Sequence, residues 1–233
     1  MYEFVERNSE IFEKNAAAVS DLLEGGRLPV LYSGLSEVHR AHLAAYLAGN
    51  WDSCVCAVCP DDAAAERFAR DLEAMIGETV PVLTAREFTF TPMDAVSRQE
   101  EQRRLGILFA LSGEMPPKAV VCTAAGLLQR TIPVERLREA AFVLKSGGSC
   151  PIEEAEQRLL LCGFKRADQV EGPGQFARRG GILDFFTPGY DAPIRCEFWG
   201  DDIDSMGLFD VDTQRRTENL DRCVILPAAE TLP

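Results

Sequence analysis

The sequence predicts an α/β chain in two parts, a mostly parallel sheet flanked by helices followed by a smaller α+β domain. Three observations carry this. Short apolar runs alternate with helical stretches up to Thr131-Ile132-Pro133, the rhythm of strands that need helical crossovers. That rhythm breaks at Pro133. From Asp168 onward alternating β signals dominate, punctuated by two turn signatures, Pro188-Gly189 and Gly200-Asp201. The expected domains are therefore 1–132, 133–219, and a segment 220–233 that starts a return to the first domain and is cut short.

Residues 3–24 place Phe4, Ile11, Ala18 and Leu22 at helical spacing and stop at Gly25-Gly26. Residues 28–33 are a short apolar run and predict a strand, 37–48 a helix, and 54–59 a second strand. A helix over 61–76 is opened by Asp61-Asp62, whose carboxylates suit the positive end of a helix dipole. Residues 80–83 and 118–123 are the third and fourth strands; between them 97–111 runs from a charged start into Leu105, Leu108 and Leu111. In the second domain, 141–145 predicts a strand, Gly147-Gly148 a turn, and Pro151 the first turn of a helix carrying Ile152, Leu159, Leu160 and Cys162. At Pro188-Gly189 the proline fixes φ and the glycine supplies the positive φ of a type II turn. The tail begins a strand at Cys223-Val-Ile-Leu and stops at Pro227.

Composition narrows the function. With 46% hydrophobic and 26% charged residues in 233, the chain can bury real cores. A formal charge of -13, from 24 basic and 37 acidic side chains, opposes sequence-independent nucleic-acid binding, which depends on Lys and Arg neutralising phosphates. No apolar run has the length of a membrane span and the start lacks a basic signal-peptide region, so a soluble, cytoplasmic protein is expected, with no membrane partner. Of eight cysteines only Cys54, Cys56 and Cys59 cluster, without a second ligand pair; a buried strand of reduced thiols is preferred to a metal site.

Ser33-Gly34-Leu35-Ser36-Glu37-Val38-His39 lies between a strand and a helix, where a phosphate loop would lie. Such a loop needs closely spaced glycines to aim N–H groups at phosphate, and a Lys. Here only Gly34 remains and Glu37 would repel phosphate, so the loop is a degenerate one and Ser36 is expected to cap a helix. His39 and His42, three apart, lack a third ligand and are expected as exposed polar residues. Glu197, Asp201, Asp202, Asp204 and Asp210 lack calcium-loop spacing and are expected to form an acidic hairpin face.

One pattern stands apart from these. In Ile194–Trp199 the alternation puts Ile194, Cys196 and Phe198 on one face and Arg195, Glu197 and Trp199 on the other. Trp and Arg are enriched at the energetic centres of protein interfaces. Arg179, before Gly180-Gly181, is expected on a strand paired with that of Arg195, which would bring two Arg and one Trp to one face. Two readings stay open on these residues: a docking surface, or a Trp covered by Arg stems of its own domain.

At Arg179-Gly180, Ile182-Leu183-Asp184, Phe186, Arg195, Glu197, Phe198-Trp199, Asp202-Ile203, Phe209-Asp210 and Gln214-Arg215 the chain resembles the small inserted domain of the bacterial transcription-repair coupling factor family (Mfd). The related excision-repair helicase UvrB has a similar domain. The preceding α/β region, with Val121-Cys122-Thr123-Ala124 and Leu127-Leu128-Gln129-Arg130, is similar in layout over nearly the whole chain. The resemblance implies a helicase-like α/β domain with an inserted α+β domain that docks on UvrA, the damage-recognition ATPase. Its contact residues would be Arg179, Arg195 and Trp199, the last at a place where the family more often has Phe. It implies no catalytic, cofactor-binding or metal residues in this stretch. ATP, magnesium, DNA and RNA polymerase would belong to downstream domains of a translocase that displaces stalled polymerase. The other relative, a UvrB-like helicase subunit, would need a Gly-rich, Lys-containing loop at 33–39.

Overall fold

The computed structural model describes residues 2–26, 28–86 and 99–231. In chain order, α1 (Tyr2–Glu24), α2 (Glu37–Asn50), β1 (Val55–Cys59), α3 (Asp62–Ile76) and β2 (Val82–Leu83) are followed by α4 (Gln99–Ser112), β3 (Ala119–Thr123) and α5 (Ala124–Leu128). Then come α6 (Val134–Ala140), β4 (Phe142–Lys145), α7 (Ile152–Leu161), β5 (Lys165–Arg166), β6 (Gln175–Arg179), β7 (Ile182–Phe185), β8 (Ile194–Trp199), β9 (Asp202–Phe209), β10 (Arg216–Asn219) and β11 (Arg222–Ile225). The chain forms two compact units. One contains the described residues up to Ala85 together with Met115–Leu128, and the other contains the rest, α4 included.

The first unit is built on a three-stranded parallel sheet, order β1-β3-β2. β3 is central, and all five of its residues are buried. α2 and α3 share a core with this sheet through Ala44 and Ala48 of α2 and Ala65, Ala69 and Leu72 of α3; their small side chains permit close approach. The helix ends follow local chemistry. Asp61 Oδ1 accepts from the Ala64 N–H at 2.7 Å, and Gly77 ends α3 in the left-handed conformation with φ 76°. Ser36 caps α2 as expected, accepting from the His39 N–H at 3.4 Å. The strand expected over 28–33 does not form. Pro29 has no N–H to give a ladder, and Leu31 is 91% exposed.

The second unit centres on a six-stranded sheet, order β10-β9-β8-β7-β6-β5, in which only β5 and β6 run parallel. α7 supplies Ile152, Ala155 and Leu159 to a core with Phe176, Leu183, Phe185, Ile194, Cys196 and Met206 from β6 to β9. The molecule is thus a mixed α/β chain: the sheet of the first unit is parallel as expected, but over the whole of the described residues most strand pairing is antiparallel, because the second unit holds the larger sheet. Two-residue turns at Gly180-Gly181 and Gly200-Asp201 join strands too tightly for any parallel crossover. Helices α5 and α6 were not expected from the sequence.

The segment after Asn219, expected to start a return to the first domain, packs into the second unit. β11 pairs antiparallel with β4, Cys223 opposite Leu144, and Cys223, Ile225 and Ala228 lie in the core. Glu230 is buried, its Oε1 accepting from Arg104 Nε at 3.0 Å and its N–H donating to Glu101 Oε1 at 2.9 Å. Of the helix expected over 97–111, residues 97 and 98 lie outside the described residues.

Candidate functional site

Strand alternation gives the six-stranded sheet two faces of different chemistry. Register sets Phe176, Phe185 and Ile194 in one row and Leu183, Cys196 and Met206 in the next, all turned to the α7 core. The opposite face carries Ala177, Asp184, Arg195 and Gly207 in one row and Arg179, Ile182, Glu197 and Ser205 in the next. Arg179 and Arg195 therefore share a face, but not by the expected adjacency. Gly180, at φ 61°, turns the chain straight back, so β7 lies between their strands. Gly181 is needed beside it, because a Cβ there would stand 2.8 Å from the Phe198 carbonyl oxygen.

The inserted strand brings Asp184, which sequence reasoning left without a role. It is 1% exposed, and its carboxylate binds both arginines. Arg195 Nε donates to Oδ1 and Nη2 to Oδ2, each at 2.8 Å, while Arg179 Nη2 donates to Oδ2 at 3.3 Å. Arg195 also donates through Nη1 to the Gln214 carbonyl oxygen at 3.2 Å and through Nη2 to Gln214 Oε1 at 2.9 Å. Its guanidinium lies 4.4 Å over the Phe209 ring, part of a small apolar cluster with Val170 and Ala177. The Asp184 hydrogen bonds push the Arg195 pKa still higher, against burial that lowers it. The signal for Asp184 was present in the sequence: a lone acid in an apolar strand, Ile-Leu-Asp-Phe, is tolerated in a core only when paired.

The strand end presents the tryptophan. Between Glu197 and Phe198 the register slips, Glu197 facing Ser205 and Phe198 facing Ile203, so Asp204 is an extra residue bulged from β9. Phe198 packs against the core, and Trp199 emerges on the arginine face, 84% exposed beside the Gly200-Asp201 turn. The reading in which Arg stems cover this Trp does not hold. Next to it, Glu197 Oε1 accepts from Arg216 Nη2 at 3.0 Å and Oε2 from Ser205 Oγ at 3.1 Å. The face thus combines a free indole, a half-exposed Arg179 and a braced Arg195.

The other candidates carry less. In the first unit, Gly34 has φ 84°, Ser36 is spent on its cap, and Glu37 stands in the first turn of α2. His42 stacks on Phe12 at 4.3 Å, and His39 stacks at 5.7 Å. Burial raises the Cys54 and Cys59 pKa values, and it is the main cause that pushes Cys122 up to about 12. Such thiols stay protonated, and among the described residues no three His, Cys, Asp or Glu groups converge on a metal position.

The profile of the UvrB interaction domain matches residues 142–230, the stretch holding the whole six-stranded sheet and its arginine–tryptophan face. Over most of its length the chain is similar to several curated transcription-repair-coupling factors. That of Myxococcus xanthus is 32% identical over 225 residues, covering 93% of this chain and 18% of the relative. That of Escherichia coli is 30% identical over 192 residues, covering 82% and 16%, and that of Bacillus subtilis 26% over 230 residues, covering 97% and 19%. The chain spans less than a fifth of the length of these relatives. No helix among the described residues is long and apolar enough to cross a membrane.

Proposed function

We propose that this chain is the recruitment module of a transcription-repair coupling factor and that its UvrB interaction domain binds UvrA through the face of Arg179, Arg195 and Trp199. The observation that carries this reading is Trp199, 84% exposed and co-facial with two arginines. Leaving a large indole in water gains the fold nothing, and Trp and Arg dominate interface energetics. The module acts without chemistry of its own. Its loop at 33–39 offers neither the glycines nor the lysine that hold a nucleotide phosphate, which favours the coupling factor over a UvrB-like helicase. ATP hydrolysis, DNA translocation and displacement of RNA polymerase are assigned to other parts of the full protein. Calorimetric titration of the chain with purified UvrA tests the reading. Arg179→Ala is expected to weaken binding at least about tenfold. No heat of binding from the unaltered chain, or clear binding of ATP by it, refutes the proposal.

A further inference from the structure

We infer that Asp184 and Gln214 are positioning residues of the docking face, locking Arg195 into the sheet so that Arg179, aimed at a partner carboxylate, and Trp199, aimed at an apolar slot, make the contacts. The inference rests on the docking reading and divides the labour within it. A guanidinium has five N–H donors. Four of those on Arg195 are spent inside the domain, two on Asp184 and two on Gln214. One face of its plane is covered by Phe209, and its side chain is only 15% exposed. To reach a partner Arg195 would have to break this set and leave Asp184 buried against Arg179 alone, a costly exchange in a low-dielectric site.

Gln214 is shaped for the clamp. Among the described residues it alone combines a side chain with a positive φ, 57°, a conformation residues other than glycine rarely adopt. The turn holding it is fixed by its neighbours. Asp210 Oδ1 accepts from the Thr213 N–H and from the Thr213 hydroxyl, both at 2.7 Å, and Gln214 Nε2 donates to the Val211 carbonyl oxygen at 2.8 Å. Both acceptors of Gln214 then point at Arg195. Arg179 is in the opposite condition, with a side chain 51% exposed and a single long hydrogen bond to Asp184. Two guanidiniums on one carboxylate leave one positive charge in excess, and it is presented where Arg179 meets solvent. The partner group this fits is a carboxylate.

Gln214→Gly tests the division, because glycine accepts φ 57° without strain and only the side-chain clamp is lost. In the chain labelled with 15N-arginine, the Arg195 Nη protons are expected to exchange with solvent at least about tenfold more slowly than those of Arg179, and Gln214→Gly to narrow the difference. With UvrA, Gln214→Gly is expected to lower affinity several-fold with an unchanged salt dependence, whereas Arg179→Ala lowers it and flattens the salt dependence. In an Arg195→Ala background, Gln214→Gly is expected to add nothing further, since it acts through Arg195. Equal exchange at the two arginines, a gain of affinity in Gln214→Gly, or additive losses in the double variant each overturn the inference. Absence of UvrA binding by the unaltered chain overturns the docking reading, and the exchange rates then still report whether Arg195 is clamped.

Discussion

Replacing Asp184 with alanine removes the group on which two arginines converge, and its cost can be worked from the geometry. The carboxylate is 1% exposed and accepts three charge-assisted hydrogen bonds, two of them at 2.8 Å. Removing one partner of a buried ion pair costs about 3–5 kcal/mol, because the remaining charge is left without compensation. Two features pull the value toward the lower end. The Arg179 side chain is 51% exposed and recovers water at once, and Gln214 still accepts from Arg195. About 3 kcal/mol is therefore expected from Asp184→Ala, a fall of roughly 10 °C in the thermal midpoint for a unit of this size. Urea unfolding followed by circular dichroism measures it, with the slope unchanged if the native state is intact. Arg179→Ala is the internal control, since its half-exposed pair is worth no more than about 1 kcal/mol. A loss from Asp184→Ala within about 0.5 kcal/mol of the control refutes the view that this carboxylate organises the face.

Two further expectations follow from the same structure. Trp199→Ala, at a side chain 84% exposed, should leave stability within about 0.5 kcal/mol yet weaken UvrA binding by at least about 2 kcal/mol; equal binding by the two chains would remove the indole from the interface. Burial pushes the Tyr190 and Cys223 pKa values up to about 12, above their unfolded values of roughly 10 and 8.5. The folded chain thus holds protons that the unfolded chain releases, so this stabilisation is complete below about pH 8.5 and declines as pH rises toward about 12. Urea midpoints measured from pH 8 to 11 should fall, and Tyr190→Phe should make the fall shallower; a flat profile would contradict the burial of these groups.

Much of the proposed docking face was legible because it depends on local rules. The period of two along residues 194–199 assigns Arg195, Glu197 and Trp199 to one side in any strand, and Gly200-Asp201 closes the hairpin that exposes the tryptophan. What the period could not supply is which strand lies next to which. Arg179 was expected beside Arg195, but the two-residue turn at Gly180-Gly181 places β7 between them. With β7 comes Asp184, which converts two expected contact residues into one exposed cation and one braced cation. The same gap explains the tail. An apolar run at 223–226 announces a strand, yet its pairing with β4 depends on residues about eighty positions earlier, and no local pattern encodes that choice.

The sequence by itself determined the alternation of α and β elements in the first unit, the caps of α2 and α3, the Gly200-Asp201 hairpin, and the co-facial Arg195 and Trp199. Each is set by side chains a few positions apart, through dihedral preference, capping and the pleat. The tertiary structure alone decided that β7 lies between the strands of Arg179 and Arg195, that residues 28–33 stay unpaired, and that Asp184 and Gln214 hold Arg195. Those outcomes depend on which distant backbone offers hydrogen bonds and on where a buried charge finds its counter-charge, and these become defined only once the chain has closed on itself.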